Sequence, residues 1–495
     1  MSALFKTSLL LTVFFGLNKL VALVRQVIIG RQFGLSSEID AFNVANNLPD
    51  LLVSLIAGGA LALAFIPVLS EYRTKYGSEP TWKLFSHVAN LVFLLTAILS
   101  ILVAYFAPIL VSHQLGIAPG FSPSQQILVV NLMRLSLLAT LIFALSGLVM
   151  SSLHAHKHFL LPALSPILYN VGLIFGALFL SPNLGVYGLA IGVLIGALLH
   201  LLIQIPALLK FNFSYFPILN LQDPGLIKVL KLMGPRILTV LLIQIIFLAR
   251  DNLASRLQEG AVSALTYGYF IMQVPETLIG TAIATALLPT LSELAVGKKL
   301  AQFSQVLNRT IKVLAATTIF ITVILSLCLS PLIESIFGLR ADQRDLLVWT
   351  SQAYLIGLLS QCLLEAVARS FYARQMANLP LIATAIRTII FLVLAILTFK
   401  TWGVFGLALI DSIAVTVEVL ILTYYLHKSL PDILSSLLKT SLRIGVGIFI
   451  SVIVVLAVFY LVPLSNLFKA ILALVLASIV YLPFIKKEIR LLLKL

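Results

Sequence analysis

The feature that most constrains this chain is a series of long apolar stretches that recurs from one end to the other. Each is about 18 or more residues long, enough for a helix to cross roughly 30 Å of hydrocarbon. Hydrophobic residues make up 60% of the 495 residues and charged residues only 10%, whereas soluble domains have about a quarter charged. The sequence therefore predicts a membrane protein with many spans.

We predict an all-α membrane protein with about fourteen transmembrane helices, each needing about 20 apolar residues. The predicted helices cover residues 7–31, 41–70, 84–111, 125–152, 160–181, 184–208, 228–256, 262–294, 309–337, 345–373, 379–399, 403–427, 440–462 and 466–486. Lys and Arg are concentrated in the loops on one side, for example Lys75, Lys157, Lys210, Lys228 and Lys428. Because cytoplasmic loops carry the excess of basic residues, both termini are expected to be cytoplasmic.

The chain also repeats itself. LVRQVIIGRQFG from Leu23 corresponds to LARDNLASRLQEG from Leu248, and GVYGLAIG from Gly185 corresponds to GVFGLALI from Gly403. Three further pairs of segments match in the same order: LPDLL with VPETL, ALAFIPVLSE with ATALLPTLSE, and LHAHKHFLLP with FYARQMANLP. The repeats predict an N-lobe (1–208) and a C-lobe (228–427) of six helices each, related by an axis along the membrane normal, followed by two extra helices (439–495).

Several function classes are disfavoured. The formal charge of +15 is explained better by basic cytoplasmic loops than by nucleic-acid binding, so no nucleic-acid partner is expected. Cys328 and Cys362 lack metal-ligand spacing, and His154, His156 and His158 alternate on a basic loop, which is a weak ligand signal, so neither metal nor cofactor is expected. Phosphate-binding glycine loops and nucleophile elbows are absent from the sequence, which indicates a transporter and not an enzyme.

Polar residues inside the first spans are candidates for a binding cavity, because intramembrane charges are costly and usually face a cavity or a partner. Lys19 and Arg25 lie six residues apart on the first helix, about 120° from each other around the axis. The second helix begins with Asp40 and then presents a polar stripe at helical spacing: Asn43, Asn46, Asn47 and Asp50. We expect these residues to line a cavity; the alternative is a solvated helix start outside the bilayer.

The second half places Arg250 and Asp251 on helix seven and Gln273 and Glu276 on helix eight. Since the repeat aligns Arg250 with Arg25, we expect the two arginines to bind an anionic group together, a task that suits the planar guanidinium. The alternative is an internal ion pair between Arg250 and Asp251 that holds the helices together.

Two carboxylates are candidates for coupling transport to an ion. Asp251 and Asp411 lie in predicted spans, and a charge that crosses the full membrane field gains about 2.3 kcal/mol per 100 mV. The ion, Na⁺ or H⁺, is left open. Asp411 has an alternative role, since a structural pair with Arg387 on the adjacent helix is also expected.

Four segments resemble the MurJ (MviN) family of lipid II flippases, part of the multidrug/oligosaccharidyl-lipid/polysaccharide exporter superfamily. They are Asn18–Tyr72, Gly234–Ile245, Ala286–Leu294 and Phe371–Leu381. The resemblance covers essentially the whole chain. It implies a flippase for the undecaprenyl-pyrophosphate-linked peptidoglycan precursor, working by alternating access in the bacterial inner membrane as a monomer surrounded by lipid.

The resemblance also implies roles for particular residues. Arg25 and Asp40 match cavity residues of the family, and Lys19 stands where the family often has arginine. Independently of the resemblance, Asp40 lies near the outer end of helix two, where we expect it to act as a gate by pairing with a cavity arginine. Helices thirteen and fourteen are expected to form a groove for the lipid tail.

The chain departs from the family pattern at Val53, Ser54 and Phe270, where the family has arginines, and at Gln26, where it commonly has an acidic residue. These departures leave the exact substrate open. The alternatives are an exporter of another polyprenyl-linked oligosaccharide, a drug/cation antiporter on the same fold, and a non-transporting scaffold.

Overall fold

The backbone polar groups of the chain are satisfied inside helices, as its apolar stretches require. The computed structural model describes the backbone of residues 3–57, 59–430 and 437–492, and the side chains of residues 13–56, 61–62, 64–234, 237–430 and 442–488. No β-strand occurs in the described backbone. The predicted all-α membrane fold is confirmed.

The chain forms two compact units, Met1–Val262 and Ser263–Leu495. The helices of the first unit are α1 (Ala3–Phe33), α2 (Ser37–Leu52), α3 (Gly59–Tyr76), α4 (Ser78–Ser112), α5 (Pro123–Ala155), α6 (Leu160–Phe175), α7 (Ser181–Leu184), α8 (Val186–Leu202), α9 (Ile205–Lys210) and α10 (Pro224–Ala254). Two π-helical segments, Val53–Ala57 and Gly176–Leu180, follow α2 and α6.

A further helix, α11 (Ala261–Pro275), begins at the boundary and continues into the second unit through a π-helical segment, Glu276–Thr281. The remaining helices are α12 (Ala282–Val296), α13 (Leu300–Phe337), α14 (Ala341–Ile356), α15 (Leu358–Ala373), α16 (Asn378–Ser429), α17 (Leu437–Leu461) and α18 (Asn466–Leu492). α17 and α18 pack against α13, where Phe320 stacks on Tyr481 with ring centroids 4.1 Å apart. A groove for a lipid tail beside α17 and α18 stays a prediction.

Twelve helices of the described chain are long and apolar enough to cross a membrane, compared with the fourteen predicted. The predicted second span, 41–70, is divided by the π-helical segment after α2, so neither part is counted. The predicted spans 379–399 and 403–427 are counted once because α16 is continuous by hydrogen bonding. A straight helix of its 52 residues would be about 78 Å long, but Gly403, at φ 56° and ψ −146°, divides it into two spans.

The sequence repeat is reproduced in the local backbone. Gly185 and Gly403, which are equivalent in the repeat, have φ values of 57° and 56°. Lys157 and Gln375, also equivalent, both have a φ of 59°, which few residues other than glycine adopt. A π-helical segment also begins directly after LPDLL and another begins within VPETL. Independent helices would have no reason to share these conformations, so the backbone supports a duplication.

The first unit extends beyond the predicted N-lobe because α10 packs on α2 and α3. Lys228 Nζ at the start of α10 lies 2.5 Å from Glu71 Oε2, just beyond the predicted span 41–70. Hydrogen bonds from Lys228 and Lys75 lower the pKa of Glu71 to about 2. The predicted lobe boundaries at 208 and 228 follow from the sequence repeat, whereas the two compact units reflect which helices pack together. The lobe boundaries stay a prediction.

Glycine sets the distance between α6 and α8. A Cβ atom on Gly172 would lie 2.3 Å from the Cα atom of Gly196, so the two backbones are in direct contact. Small residues at such crossings allow close van der Waals packing, the main attraction between helices in lipid.

We therefore expect Gly172→Val to destabilise the protein by about 1–3 kcal/mol, the usual cost of overpacking. The measurement is the Tm of the purified protein in detergent. Gly445→Val is the matched control, because a Cβ atom there meets nothing within 4 Å. Equal Tm values for the two variants would show that α6 and α8 separate without cost.

Candidate functional site

The polar stripe of α2 faces other helices of the first unit. Ser36 caps α2 by accepting a hydrogen bond from the Ile39 amide. About two and a half turns into the helix, Asn46 Oδ1 accepts a hydrogen bond of 2.9 Å from Ser136 Oγ of α5. Asn47 Nδ2 donates to Asp251 Oδ2 of α10 at 3.0 Å, and Asn43 is half-buried. The stripe is therefore an internal surface, which argues against a solvated helix start.

Asp50, at the end of the stripe, interacts electrostatically with Arg25 of α1. Tyr169 of α6 also interacts electrostatically with both residues. Protein surrounds Asp50, yet its side chain is exposed, while Arg25 is half-buried. An accessible carboxylate therefore interacts with an arginine of another helix, and the cavity expected around these residues stays a prediction.

Lys19 lies on α1 six residues before Arg25 and is half-buried. Close to it, Asn170 Nδ2 of α6 donates to Asn18 Oδ1 at 2.9 Å, which joins α1 to α6. Our reading of the sequence did not include Tyr169 or the two asparagines. Asn18 and Asn170 met the criterion applied to α2, that a polar side chain in an otherwise apolar span is a candidate cavity residue.

Arg250 and Asp251 form a buried ion pair at the end of α10. Arg250 Nε lies 2.8 Å from Asp251 Oδ1, and the residues are 7% and 1% exposed. The guanidinium also lies over the ring of Phe247, 5.1 Å from its centroid. With Asn47 as a second partner of Asp251, the geometry favours the alternative in which this pair joins α10 to α2.

Asp40 is 1% exposed and accepts a hydrogen bond of 2.8 Å at Oδ2 from the Gly260 amide. Beside it, the Ser37 amide donates to Glu259 Oε1 at 2.8 Å. The start of α2 is thus fastened to the loop that follows α10. Whether Asp40 acts as a gate stays a prediction.

The second unit contains Gln273 and Glu276. Glu276 accepts hydrogen bonds from Thr277 and Thr281 within its own π-helical segment, and Gln273 is half-buried one turn earlier. Arg369 of α15 donates to the Thr281 carbonyl and forms an i, i+4 ion pair with Glu365 at 2.8 Å.

Across the two halves of α16, Arg387 contacts two carboxylates. Its Nη2 atom lies 3.1 Å from Asp411 Oδ1, and its Nη1 atom lies 3.2 Å from Glu418 Oε2. Thr384 Oγ1 donates to Glu418 Oε1 at 2.6 Å. The expected pair of Arg387 and Asp411 is present, and the group holds one cation and two carboxyl groups.

The three loop histidines are placed among aromatic rings. His156 stacks on Trp82 at 5.2 Å, and His158 lies edge-on to Phe211. Among the described residues, no group of three or more His, Cys, Asp or Glu side chains is arranged to hold a metal ion.

Comparison with known proteins identifies the family to which this architecture belongs. The model of the family "Lipid II flippase MurJ" matches residues 29–482. The chain belongs to the MurJ family. The lipid II flippase MurJ of Burkholderia cenocepacia is 32% identical over 388 residues, which is 76% of this chain and 75% of that protein. A probable lipid II flippase MurJ of Haemophilus influenzae is 27% identical over 91% of both chains.

Solved structures agree with this assignment. A lipid II flippase MurJ in an inward closed conformation matches with a TM-score of 0.81 and 25% identity, covering 97% of this chain and 99% of that one. An inward-facing multidrug resistance transporter of the MATE family matches with a TM-score of 0.71 and 15% identity, over 85% and 96% of the two chains, and shows a shared fold only. The chain is thus a multi-pass membrane protein of a transporter family.

One departure from the family pattern has a structural counterpart. Ser54, where the resemblance predicts an arginine, accepts a hydrogen bond of 3.1 Å from Gln244 Nε2 of α10. A neutral contact between the π-helical segment and α10 therefore occupies this position. Val53 and Phe270 are half-buried apolar residues.

We expect Asp251→Leu to destabilise the protein by about 3–5 kcal/mol, because the buried Arg250 charge loses its partner. The double variant Arg250→Met/Asp251→Leu should regain most of that loss, since an apolar pair needs no compensation. Both follow from Tm measurements on purified protein. Lys83→Met, in an exposed pair with Glu79, is the control and should leave the Tm unchanged. A double variant no more stable than Asp251→Leu would contradict a simple ion pair.

Proposed function

We propose that this protein translocates lipid II across the bacterial inner membrane by alternating access, with Arg25 and Lys19 binding the pyrophosphate. Family membership supports the substrate, and the interaction of Arg25 with the accessible carboxylate of Asp50 supports the site. Because an arginine fork donates two parallel hydrogen bonds to phosphate oxygens, Arg25 is suited to this group. The excess of Lys and Arg in the loops on one side supports a cytoplasmic location for both termini.

The proposal assigns Arg250 a different role from that of Arg25. Its guanidinium is committed to Asp251, so pyrophosphate would have to displace a buried carboxylate to reach it. Arg25 interacts electrostatically with Asp50, whose carboxylate is more accessible than that of Asp251. A ligand that carries several negative charges competes better for the accessible arginine, and Asp50 balances the charge of Arg25 when the cavity is empty.

The test is complementation of a bacterial strain depleted of its own lipid II flippase. The wild-type chain should restore growth, whereas Arg25→Ala at matched expression should fail, with substrate binding reduced about 10- to 150-fold, as a charge-assisted hydrogen bond of about 1.5–3 kcal/mol implies. Arg25→Lys should restore growth partly, since a lysine keeps the charge without the fork. The control is Arg134→Ala, whose arginine is exposed and donates to the Ala104 carbonyl.

Two results would count against this assignment. Normal growth with Arg25→Ala would exclude Arg25 as the phosphate ligand. Failure of the wild-type chain, although correctly inserted, would favour export of another polyprenyl-linked oligosaccharide. That second candidate is consistent with the uncharged Val53, Ser54 and Phe270, which make the cavity less cationic than the family pattern.

We also propose that a cation drives the cycle, and that Asp411 is the residue that senses it. In the second unit Asp411 and Glu418 share one guanidinium, so the group carries a surplus carboxyl that a proton or Na⁺ would neutralise. Asp251 is balanced one-to-one by Arg250 and is the weaker candidate.

Flipping in vesicles should therefore slow at least tenfold when the ion gradients and the membrane potential are collapsed, since each charge that crosses the field contributes about 2.3 kcal/mol per 100 mV. Asp411→Asn should make the residual rate insensitive to the gradients. Glu365→Gln, in an i, i+4 pair of the same unit, serves as the control and should retain the response. An unchanged rate without gradients would remove the coupling proposal and leave the substrate assignment intact.

A further inference from the structure

The outer face of α16 contains an apolar groove that the proposed flipping function does not use. It has a volume of about 450 Å³ and lies between the two halves of the helix. Its walls include Leu379, Ile382, Ile386, Leu420, Tyr424 and Tyr425. From Leu379 to Ile386 it runs along about 10 Å of the helix axis.

The two faces of α16 differ sharply. The inner face buries Arg387 and Glu418, which join the halves by an ion pair. On the groove side, Ile382, Leu420 and Tyr424 are 54%, 62% and 63% exposed. The polar contact thus lies on the inner face of α16, and the walls of the groove face outward, where a membrane protein meets lipid.

Basic side chains stand at the end of the groove where the two halves of α16 begin and finish. Arg374, just before α16, donates to Ser429 Oγ at 2.8 Å, so the two ends meet there. His427 and Lys428 are exposed in the last turn, and Lys428 lies three and four residues after the two groove tyrosines, on their side of the helix. Between Phe371 and Ser429, a stretch described in full, the acidic residues are Asp411 and Glu418, and both are buried. Within this stretch, the exposed charged side chains at this end of α16 are therefore basic.

The order of groups along the groove, from apolar residues through tyrosines to cations, is the order expected at a membrane surface. Tyrosines lie at the level of lipid headgroups, with apolar residues below them and cations above. An uncharged chain fits the groove, and a phosphate fits the rim. Under the orientation proposed above, this end faces the cytoplasm, whose leaflet carries the anionic lipids.

We propose that the groove binds an acyl chain of an anionic phospholipid, whose phosphate contacts Arg374 and Lys428. The site is separate from the cavity of Arg25, which lies in the other compact unit. It does not depend on the flipping function, since its elements are a groove, an aromatic level and a cationic rim. A lipid bound there would bridge the two halves of α16 outside the Arg387 contact.

The experiment compares phosphatidylglycerol with phosphatidylcholine bound to the full-length protein, counted by native mass spectrometry during titration from detergent. We expect the wild-type protein to retain phosphatidylglycerol at lower concentrations than phosphatidylcholine. Lys428→Gln should weaken phosphatidylglycerol binding about fivefold, and adding Arg374→Gln should weaken it further by about the same factor, the usual contribution of one basic residue near an anionic surface. Ile382→Trp, which fills the groove, should reduce retention of both lipids.

Lys400→Gln is the matched control, because this exposed lysine lies at the opposite end of the two halves of α16, next to Gly403. It should bind phosphatidylglycerol like the wild-type protein. Lys428→Gln is a surface change that leaves the fold intact, so its result stands even if the tryptophan variant misfolds. Equal retention of the two lipids by the wild-type protein, or undiminished binding by the double variant, would overturn the proposal. Displacement of phosphatidylglycerol by undecaprenyl phosphate would assign the groove to the polyprenyl chain of the substrate instead.

Discussion

Every backbone amide and carbonyl that crosses hydrocarbon must find a partner within the protein, and the rest of this structure depends on that constraint. It explains why the described chain is built from helices and where those helices depart from regularity. The three π-helical segments, Val53–Ala57, Gly176–Leu180 and Glu276–Thr281, all lie within predicted spans. Two of them follow the repeated proline motif, at Pro49 and Pro275, because proline removes one hydrogen bond of the helix. Of these two segments, one begins three residues after Asp50 and the other begins at Glu276, so the irregular backbone occurs beside polar side chains.

The same low-dielectric surroundings control the charges. Arg250 and Arg387 each lie against carboxylates and are almost fully buried. A lone buried charge would cost several kcal/mol, so these arginines are retained only with their partners. Arg25 is different, since it is half-buried and its neighbour Asp50 is accessible. Arg25 and its neighbour therefore differ in exposure from the buried arginines that hold helices together.

Both compact units join helices through polar side chains, but the two contacts differ in charge balance. In the first unit, Asn47 of α2 donates to the Asp251 carboxylate of α10. Ser54, in the π-helical segment after α2, accepts from the Gln244 amide of α10. In the second, the two halves of α16 meet through one arginine and two carboxyl groups. The first arrangement is electrically balanced, and the second has a surplus carboxyl. The outer side of that second contact is left apolar and open to lipid, with its cations at one end.

Much of the fold could be predicted from the sequence, because apolar length, helical periodicity and internal repetition are properties of the chain itself. An all-α fold with many membrane spans, the polar stripe of α2 and the equivalence of Gly185 with Gly403 were all readable. The sequence could not show that Arg250 is committed to the buried Asp251 while Arg25 interacts with the accessible Asp50. Both arginines occupy equivalent positions in the repeat, and only the helices packed around each one decide its partner and its exposure. Tertiary structure also decided where the groove of α16 opens, since Ile382 and Leu420 are 38 residues apart in the sequence and become neighbours when Gly403 turns the chain back on itself.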